Sequence, residues 1–377
     1  MNIPNFDDIR PYYNHEVKEK MQLLLADPVF DRVLMHIYND PGKIKQTKQL
    51  LSTFQTIEDL QYNYIYELLK MVISTTTKGL TFDGMEHLEK DKAYLFISNH
   101  RDIILDSALL NYLIFKNGMN TTQIAIGSNL LILDWIEHVV KLNRTFIINR
   151  DATSRELLAT SQKVSEYIRH SITKENISIW IAQREGRTKD GADMTQVGLL
   201  KMLNMNNRKS FTEGFSELNI VPVSISYEIE PCGTGKIKEL IEKEGDEGYV
   251  KTSKDDLKSM ARGMFDQKGR IHFSFGEPLN SEIMGFNTDE RPNELFQQLA
   301  CSIDEHIHKQ FKLWPNNFIA FDMLKGSDTY KNKYSEDDIK IFSALIKEAQ
   351  SEINGNPDDI KARFLNLYAN PVINANF

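Results

Sequence analysis

The sequence predicts an α/β fold: a mixed, mainly parallel sheet flanked by helices, with a helical N-terminal unit and a helical C-terminal extension. Three observations predict it. Short runs of β-branched and aromatic residues recur through the middle of the chain, the stretches between most of them place apolar residues at helical spacing, and both ends of the chain read as helix. Strand, helix and strand repeated in that order build a sheet whose parallel neighbours are joined by crossovers on its faces.

From Asn2 to about Thr75 the apolar residues fall at helical spacing, Met21, Leu24 and Leu25 and then Phe30, Val33 and Leu34, with Asp27-Pro28 breaking between them. The period then changes. Strands are expected at Tyr94–Ser98, Thr145–Ile148, Ile177–Ala182, Ile220–Tyr227 and Ile271–Phe275. Between the second and third, Thr153-Ser154-Arg155-Glu156 has the pattern of a capping box and leads into Leu157, Ser161, Val164, Ile168 and Ile172 on one helix face. The charged, Gly-punctuated stretch Gly245–Lys268 reads as a loop plus a surface helix. Past Pro292 the chain is helical again and ends in a polar tail after Pro371. These shifts divide it into a helical region 1–84, an α/β domain 85–285 and a helical extension 286–377.

The 377 residues carry 45 Lys+Arg against 53 Asp+Glu, a net charge of −8, which argues against a nucleic-acid partner. With 41% hydrophobic and 26% charged residues, wholesale disorder is excluded. The charge is uneven, because residues 91–210 hold 16 Lys+Arg against 12 Asp+Glu and leave the flanks acidic. A basic middle suits an anionic ligand or a membrane surface. Two distant cysteines, Cys232 and Cys301, make neither a disulfide framework nor a zinc cluster and fit a reducing compartment. The opening MNIPNFDDIRPYY lacks the pattern of an export signal. The longest charge-free stretch, Asn117–Leu133, is interrupted by polar residues and falls short of the roughly 18 apolar residues of a spanning helix.

Three segments bear chemistry. The first, Asn99-His100-Arg101-Asp102-Ile103-Ile104-Leu105-Asp106, leaves the end of an apolar strand, where an open α/β sheet places its ligands. Leu105, Ala108, Leu109, Tyr112 and Leu113 then bury one face of a helix, while Asp102 and Asp106 share another. Either carboxylate can reach back to the imidazole, or either caps the helix while His100 is a core histidine. The second, Gln183-Arg184-Glu185-Gly186-Arg187-Thr188-Lys189-Asp190-Gly191, again follows an apolar strand and reads as a phosphate-holding loop or a solvated charged turn. The third, Arg144 to Arg150, has a cation at each end of a strand. Cys232-Gly-Thr-Gly-Lys236 fails as a phosphate loop on its glycine spacing, and His306 and His308, two apart, point to different helix faces.

In this order the segments resemble the glycerophospholipid acyltransferase superfamily, specifically its glycerol-3-phosphate acyltransferase branch. Four blocks carry the resemblance: Asn99–Asp106; Gly127-Ser-Asn129-Leu130 with Phe146–Arg150; Glu185–Thr188 followed by Gly198-Leu-Leu; and Val221-Pro222-Val223 through Tyr227-Glu228. Phe275-Gly276-Glu277-Pro278-Leu279 resembles a closing strand of these enzymes, so the likeness covers about residues 85–280. Two features depart from the family pattern. His100 and Asp106 are separated by five residues in place of four, with Leu105 at the expected Asp position, so either Asp106 keeps the role or Asp102 takes it. The third block is one residue short, which leaves Arg187 and Lys189 as alternative phosphate-gripping cations.

The resemblance implies an acyltransferase that moves an acyl group from acyl-CoA or acyl carrier protein to glycerol 3-phosphate or its 1-acyl derivative, without metal or cofactor. It implies His100 as base, with Asp106 or Asp102 fixing its tautomer, and Asn99, Arg101, Arg150, Glu185, Gly186, Arg187 and Lys189 as substrate contacts. It places the chain in the cytoplasm, peripheral on the inner face of the membrane. The apolar segment Leu130–Val140 then lines an acyl groove, lies on the membrane, or is a buried core helix. An O-acyltransferase for an amino-acid lipid, or a non-catalytic lipid- or carrier-binding protein on the same fold, are the alternatives.

Overall fold

A computed structural model describes residues 5–131, 133–149, 154–245 and 252–376. Among these residues seven strands form one sheet: β1 (Thr77–Asp83), β2 (Leu95–Ser98), β3 (Gln123–Gly127), β4 (Thr145–Ile148), β5 (Ile179–Ala182), β6 (Ile220–Tyr227) and β7 (Gly269–Phe275). Their spatial order is β1-β7-β6-β2-β5-β3-β4, and every neighbouring pair is parallel except β6 with β7. The expected mixed, mainly parallel sheet is therefore present, with the five expected strands at their places.

β1 and β3 were not among the expected strands. β1 (TKGLTFD) is a mostly exposed edge strand with few apolar residues, and β3 (QIAIG) dilutes two isoleucines with Gln, Ala and Gly. Their partners specify them: β1 runs along β7 with Leu80 beside Ile271, and β3 lies between β5 and β4. Propensity alone is too weak to place such strands.

Side chains alternate across the sheet and build two cores. Leu95, Ile97, Ile179 and Ile181 face one layer, which the helices Ser154–Thr173 and Pro292–Gln310 cover. Phe96, Trp180, Val223 and Tyr227 face the other, covered by Tyr66–Thr76 and Leu105–Lys116. Both faces being buried, the central strands read as continuous apolar runs rather than alternating ones. A fully buried Phe96 or Phe273 contributes about 1.5–3 kcal/mol of transfer free energy.

Two smaller cores flank the sheet. The N-terminal helices Asn14–Ala26, Pro28–Tyr38 and Pro41–Leu51 enclose Val17, Met21, Leu34 and Leu51. Asp27 and Asp40 cap the second and third, each with a proline at the first helical position. The helix Asp134–Leu142 turns Ile136 and Leu142 inward, and Trp135 packs on Phe30 at 6.3 Å. Of Leu130–Val140, Ile136 is buried and Leu133 is exposed, so the segment packs on the N-terminal helices along one face only; Ile132 lies outside the described residues. The N-terminal segment also covers the β4 edge, where Ile147 N–H donates to Ile9 O at 2.9 Å.

At the other end, Pro315–Lys325, Glu336–Glu352 and Pro357–Asn374 pack around Phe342, Ile346, Phe364 and Tyr368. The expected polar tail after Pro371 is corrected: the last helix continues through a buried Pro371 to Asn374. Docking overrides the helix-breaking tendency of proline, because the Asn374 amide donates to Ala192 O at 2.8 Å and to Gly191 O at 3.4 Å. Among the described residues no helix is long and apolar enough to cross a membrane.

Candidate active site

β6, β2 and β5 are adjacent, and all three release their chains at the same, carboxyl edge of the sheet. Asn99–Asp106 follows β2, Glu185–Asp193 follows β5 and Glu228–Cys232 follows β6. The sheet thus brings together segments more than a hundred residues apart in the chain.

Asn99, fully buried, fastens the end of β2 to β6. Its Oδ1 accepts from Ile225 N–H at 2.8 Å and its Nδ2 donates to Ile225 O at 2.9 Å. His100 comes next, its side chain 15% exposed and its ring set edge-on to Trp180 at 5.8 Å. Thr188 N–H donates to His100 O at 2.9 Å, so the loop after β5 is tied to the histidine itself.

Of the two carboxylates left open by the spacing, Asp106 faces the imidazole, with Oδ2 2.9 Å from His100 Nδ1. The same oxygen accepts from Arg101 N–H at 2.6 Å and Asp102 N–H at 2.9 Å, while the Tyr227 hydroxyl donates to Oδ1 at 2.9 Å. Burial first, and the neighbouring Asp106 carboxylate second, push the Tyr227 phenol well above its ordinary range, which keeps it a donor. Hydrogen bonds to a charged group stabilise by about 1.5–3 kcal/mol each, so four of them fix this buried carboxylate firmly. An ionised carboxylate only accepts; Nδ1 therefore carries the proton and Nε2 presents a lone pair.

Asp102 turns the other way. Its Oδ1 caps the helix Leu105–Lys116, accepting from Ile104 N–H at 2.9 Å and Leu105 N–H at 2.8 Å. Its Oδ2 is buried and makes no hydrogen bond. Gly263, on the helix Ser253–Phe265, approaches so closely that a Cβ there would stand 2.2 Å from this oxygen. Burial and the like charge of Asp106 raise the Asp102 carboxyl above the usual range.

In the loop after β5, Glu185 and Gly186 are exposed, and Gly186 takes a left-handed φ of 69°. Arg187 is buried, and its Nη1 makes no hydrogen bond. Its guanidinium acts on Asp102 and on the Cys232 thiol, lowering both, although burial outweighs it in each case. Lys189 is paired with Glu239 of the helix Gly233–Gly245. Of the two alternative cations, Arg187 is thus the one with an unspent donor. Burial is also the main cause that lowers the Lys189 ammonium.

Arg101 departs from the substrate contact expected of it. It is 1% exposed and directs its guanidinium to Asp193 and to Glu230, the latter at 3.0 Å, while Lys236 Nζ donates to Arg101 O at 2.7 Å and to Glu230 Oε1 at 2.5 Å. Asn99, Glu185, Gly186, Arg187 and Lys189 lie around the same edge; Arg150 lies outside the described residues. Sequence reasoning missed Tyr227, Trp180, Asp193 and Glu230. Tyr227 had a signal: period two along β6 puts it on the face of Val223 and Ile225, toward the helix that bears Asp106. The pairing of Arg101 with two acids had none.

A family model described as Acyltransferase matches residues 79–226, which contain His100, Asp106 and Arg187. A glycerol-3-phosphate acyltransferase of Pseudomonas entomophila (strain L48) is 22% identical over 312 residues, 76% of this chain and 36% of the relative. One of Pseudomonas fluorescens (strain Pf0-1) is 24% identical over 257 residues, 64% of this chain and 29% of the relative. The chain spans about a third of the length of these curated relatives. The crystal structure of the 1-acyl-sn-glycerophosphate acyltransferase PlsC of Thermotoga maritima overlaps 78% of this chain and 95% of its own, with 12% identity and a TM-score of 0.35. With the four sequence blocks in family order and the family model over residues 79–226, the chain is similar to glycerophospholipid acyltransferases across most of its central sheet.

Proposed function

We propose that the chain is a glycerolipid O-acyltransferase of phospholipid biosynthesis, moving a fatty acyl group from an acyl thioester to a hydroxyl of glycerol 3-phosphate or 1-acylglycerol 3-phosphate. The observation that carries this reading is the His100–Asp106 pair, Nδ1 to Oδ2 at 2.9 Å, at the carboxyl edge of the parallel strands β5, β2 and β6. In it, Nε2 takes the proton of the acceptor hydroxyl as that oxygen attacks the thioester carbonyl. A C–O bond forms, the tetrahedral intermediate collapses with cleavage of the C–S bond, and the imidazolium returns its proton to the departing thiolate. Asp106 holds the negative charge beside the imidazolium throughout. The acceptor's own oxygen is the nucleophile, so no acyl-enzyme is required.

Arg187 supplies the acceptor grip in this reading, its guanidinium offering charge-assisted hydrogen bonds to a phosphate. Glu185 and Gly186 shape the loop that presents it. Coenzyme A or an acyl carrier protein delivers the donor, within an acyltransferase domain at 85–285 between the flanking helical regions 1–84 and 286–377. Peripheral contact with the inner membrane face through the basic 91–210 region belongs to the same reading. It predicts sedimentation with anionic but not neutral vesicles, weakening as salt rises.

The test is thiol release from acyl-CoA with a panel of hydroxyl acceptors, the acylated product identified by mass. Transfer to glycerol 3-phosphate or its monoacyl derivative that disappears in His100→Ala supports the reading. Transfer only to an uncharged amino-acid lipid would move the acceptor class, and no transfer to any hydroxyl from either donor would remove the activity.

A further inference from the structure

Arg101 lies directly after the proposed base yet faces away from it, into the protein. Its guanidinium joins two acids from two other site-bearing loops: Asp193, beyond the loop after β5, and Glu230, beyond β6. Lys236 completes the cluster, donating to Glu230 Oε1 and to the carbonyl of Arg101 itself. Two cations and two carboxylates are thus buried together, balanced in charge. Burial pushes the Arg101 guanidinium down, and Asp193 and Glu230 more than offset this, so it is held charged. A group so enclosed cannot turn to a substrate without leaving two buried acids unpaired.

The main chain of Arg101 does the work at the site. Its N–H donates to Asp106 Oδ2 at 2.6 Å, the shortest of that carboxylate's contacts. Each acid that anchors the side chain is in turn held by the C-terminal region. Glu230 N–H donates to the Tyr368 hydroxyl at 2.8 Å, His308 Nε2 lies 2.9 Å from Asp193 O, and the Phe311 ring lies 5.0 Å under the guanidinium. Gly191, at φ 78°, admits the last helix so closely that a Cβ would stand 2.4 Å from Leu367 O.

We infer that Arg101 is a positioning residue for the proposed acyl transfer, through which the C-terminal helical extension holds the His100–Asp106 turn in register. The inference rests on the reading above for its kinetics but not for its geometry, so the experiment carries two readouts. Arg101→Lys keeps the charge but cannot bridge both acids; Tyr368→Phe removes a single hydroxyl and keeps the packing. In steady-state kinetics with each substrate varied, Arg101→Lys is expected to lower kcat roughly 10- to 100-fold and Tyr368→Phe roughly 3- to 10-fold, with both KM values within about twofold of wild type. The second readout is the far-downfield proton resonance of the His100 imidazole in isotope-labelled protein, identified by its absence from His100→Ala. It is expected to shift or broaden in Arg101→Lys while the circular dichroism stays native.

A raised acceptor KM with unchanged kcat overturns the inference, because Arg101 then touches substrate. A wild-type resonance with wild-type kcat overturns it as well. Should the wild-type chain transfer no acyl group, the functional reading fails while the resonance still decides the positioning role.

Discussion

Asp102 precedes the helix Leu105–Lys116 and Asp106 lies in its first turn, four residues on, and their surroundings are opposite. Around Asp106 the protein supplies four donors, from the imidazole, two amides and a phenol. Around Asp102 it supplies two, both to one oxygen, and leaves the other oxygen buried against Gly263. The first carboxylate is fixed in one orientation by its donors; the second closes a helix, and burial and the like charge of Asp106 raise it above the usual carboxylate range. The difference teaches that a catalytic role for a carboxylate is read from the donors around it rather than from its distance along the chain. Either spacing allows a carboxylate to reach His100, but only Asp106 has a shell that orients an imidazole.

The largest effect that can break this comparison is at the base. His100→Ala should lower kcat/KM by roughly 10³- to 10⁴-fold with Tm nearly unchanged, the magnitude a positioned general base supplies at its upper end. Next comes the comparison itself: Asp106→Asn should cost roughly 10²- to 10³-fold, since an amide cannot fix the same tautomer, and Asp102→Asn only a few-fold, since an amide oxygen still caps the helix. If Asp102→Asn were the more damaging, the assignment from geometry would fail.

A third effect concerns the two cations. Arg187→Ala should reduce kcat/KM for a phosphorylated acceptor by roughly 10- to 100-fold, mainly through acceptor KM, whereas Lys189→Ala, which releases a pair with Glu239, should stay within about threefold. Steady-state kinetics on both substrates distinguish these.

The smallest effect is on stability and runs the other way for Asp102. Its folded carboxyl is raised by burial, so its favourable contribution is present below the ordinary carboxylate range and is lost as pH rises through the folded value. Asparagine does not ionise. Asp102→Asn should therefore raise Tm at pH 7–8 by roughly 1–3 °C, with the gain vanishing near pH 4. A scan of Tm against pH checks it.

Much of this was legible in the sequence. β2, β4, β5, β6 and β7 were visible because buried parallel strands are continuous β-branched and aromatic runs. β1 and β3 were not, because a polar edge and a Gly-bounded strand take their state from neighbours. Local patterns also exposed His100 and its two candidate carboxylates. The choice between those carboxylates depended on Tyr227, Gly263 and a turn with one extra residue, and no period in the sequence encodes such contacts across more than a hundred positions. Arg101 shows the limit most clearly: an arginine beside the proposed base reads as a substrate contact until Asp193 and Glu230 are found around its guanidinium.

The docking of Asn374 on the Gly191 and Ala192 carbonyls has a consequence for how the molecule is made. The partners are 183 and 182 residues apart in the sequence. At a synthesis rate of about 5–20 residues per second, the loop after β5 exists for roughly 10–40 s before the segment that fastens it has been translated. The sheet can collapse during that interval, but the edge that carries the candidate site stays incomplete, and the nascent chain passes through a compact, unfinished stage until the helix Pro357–Asn374 has been made.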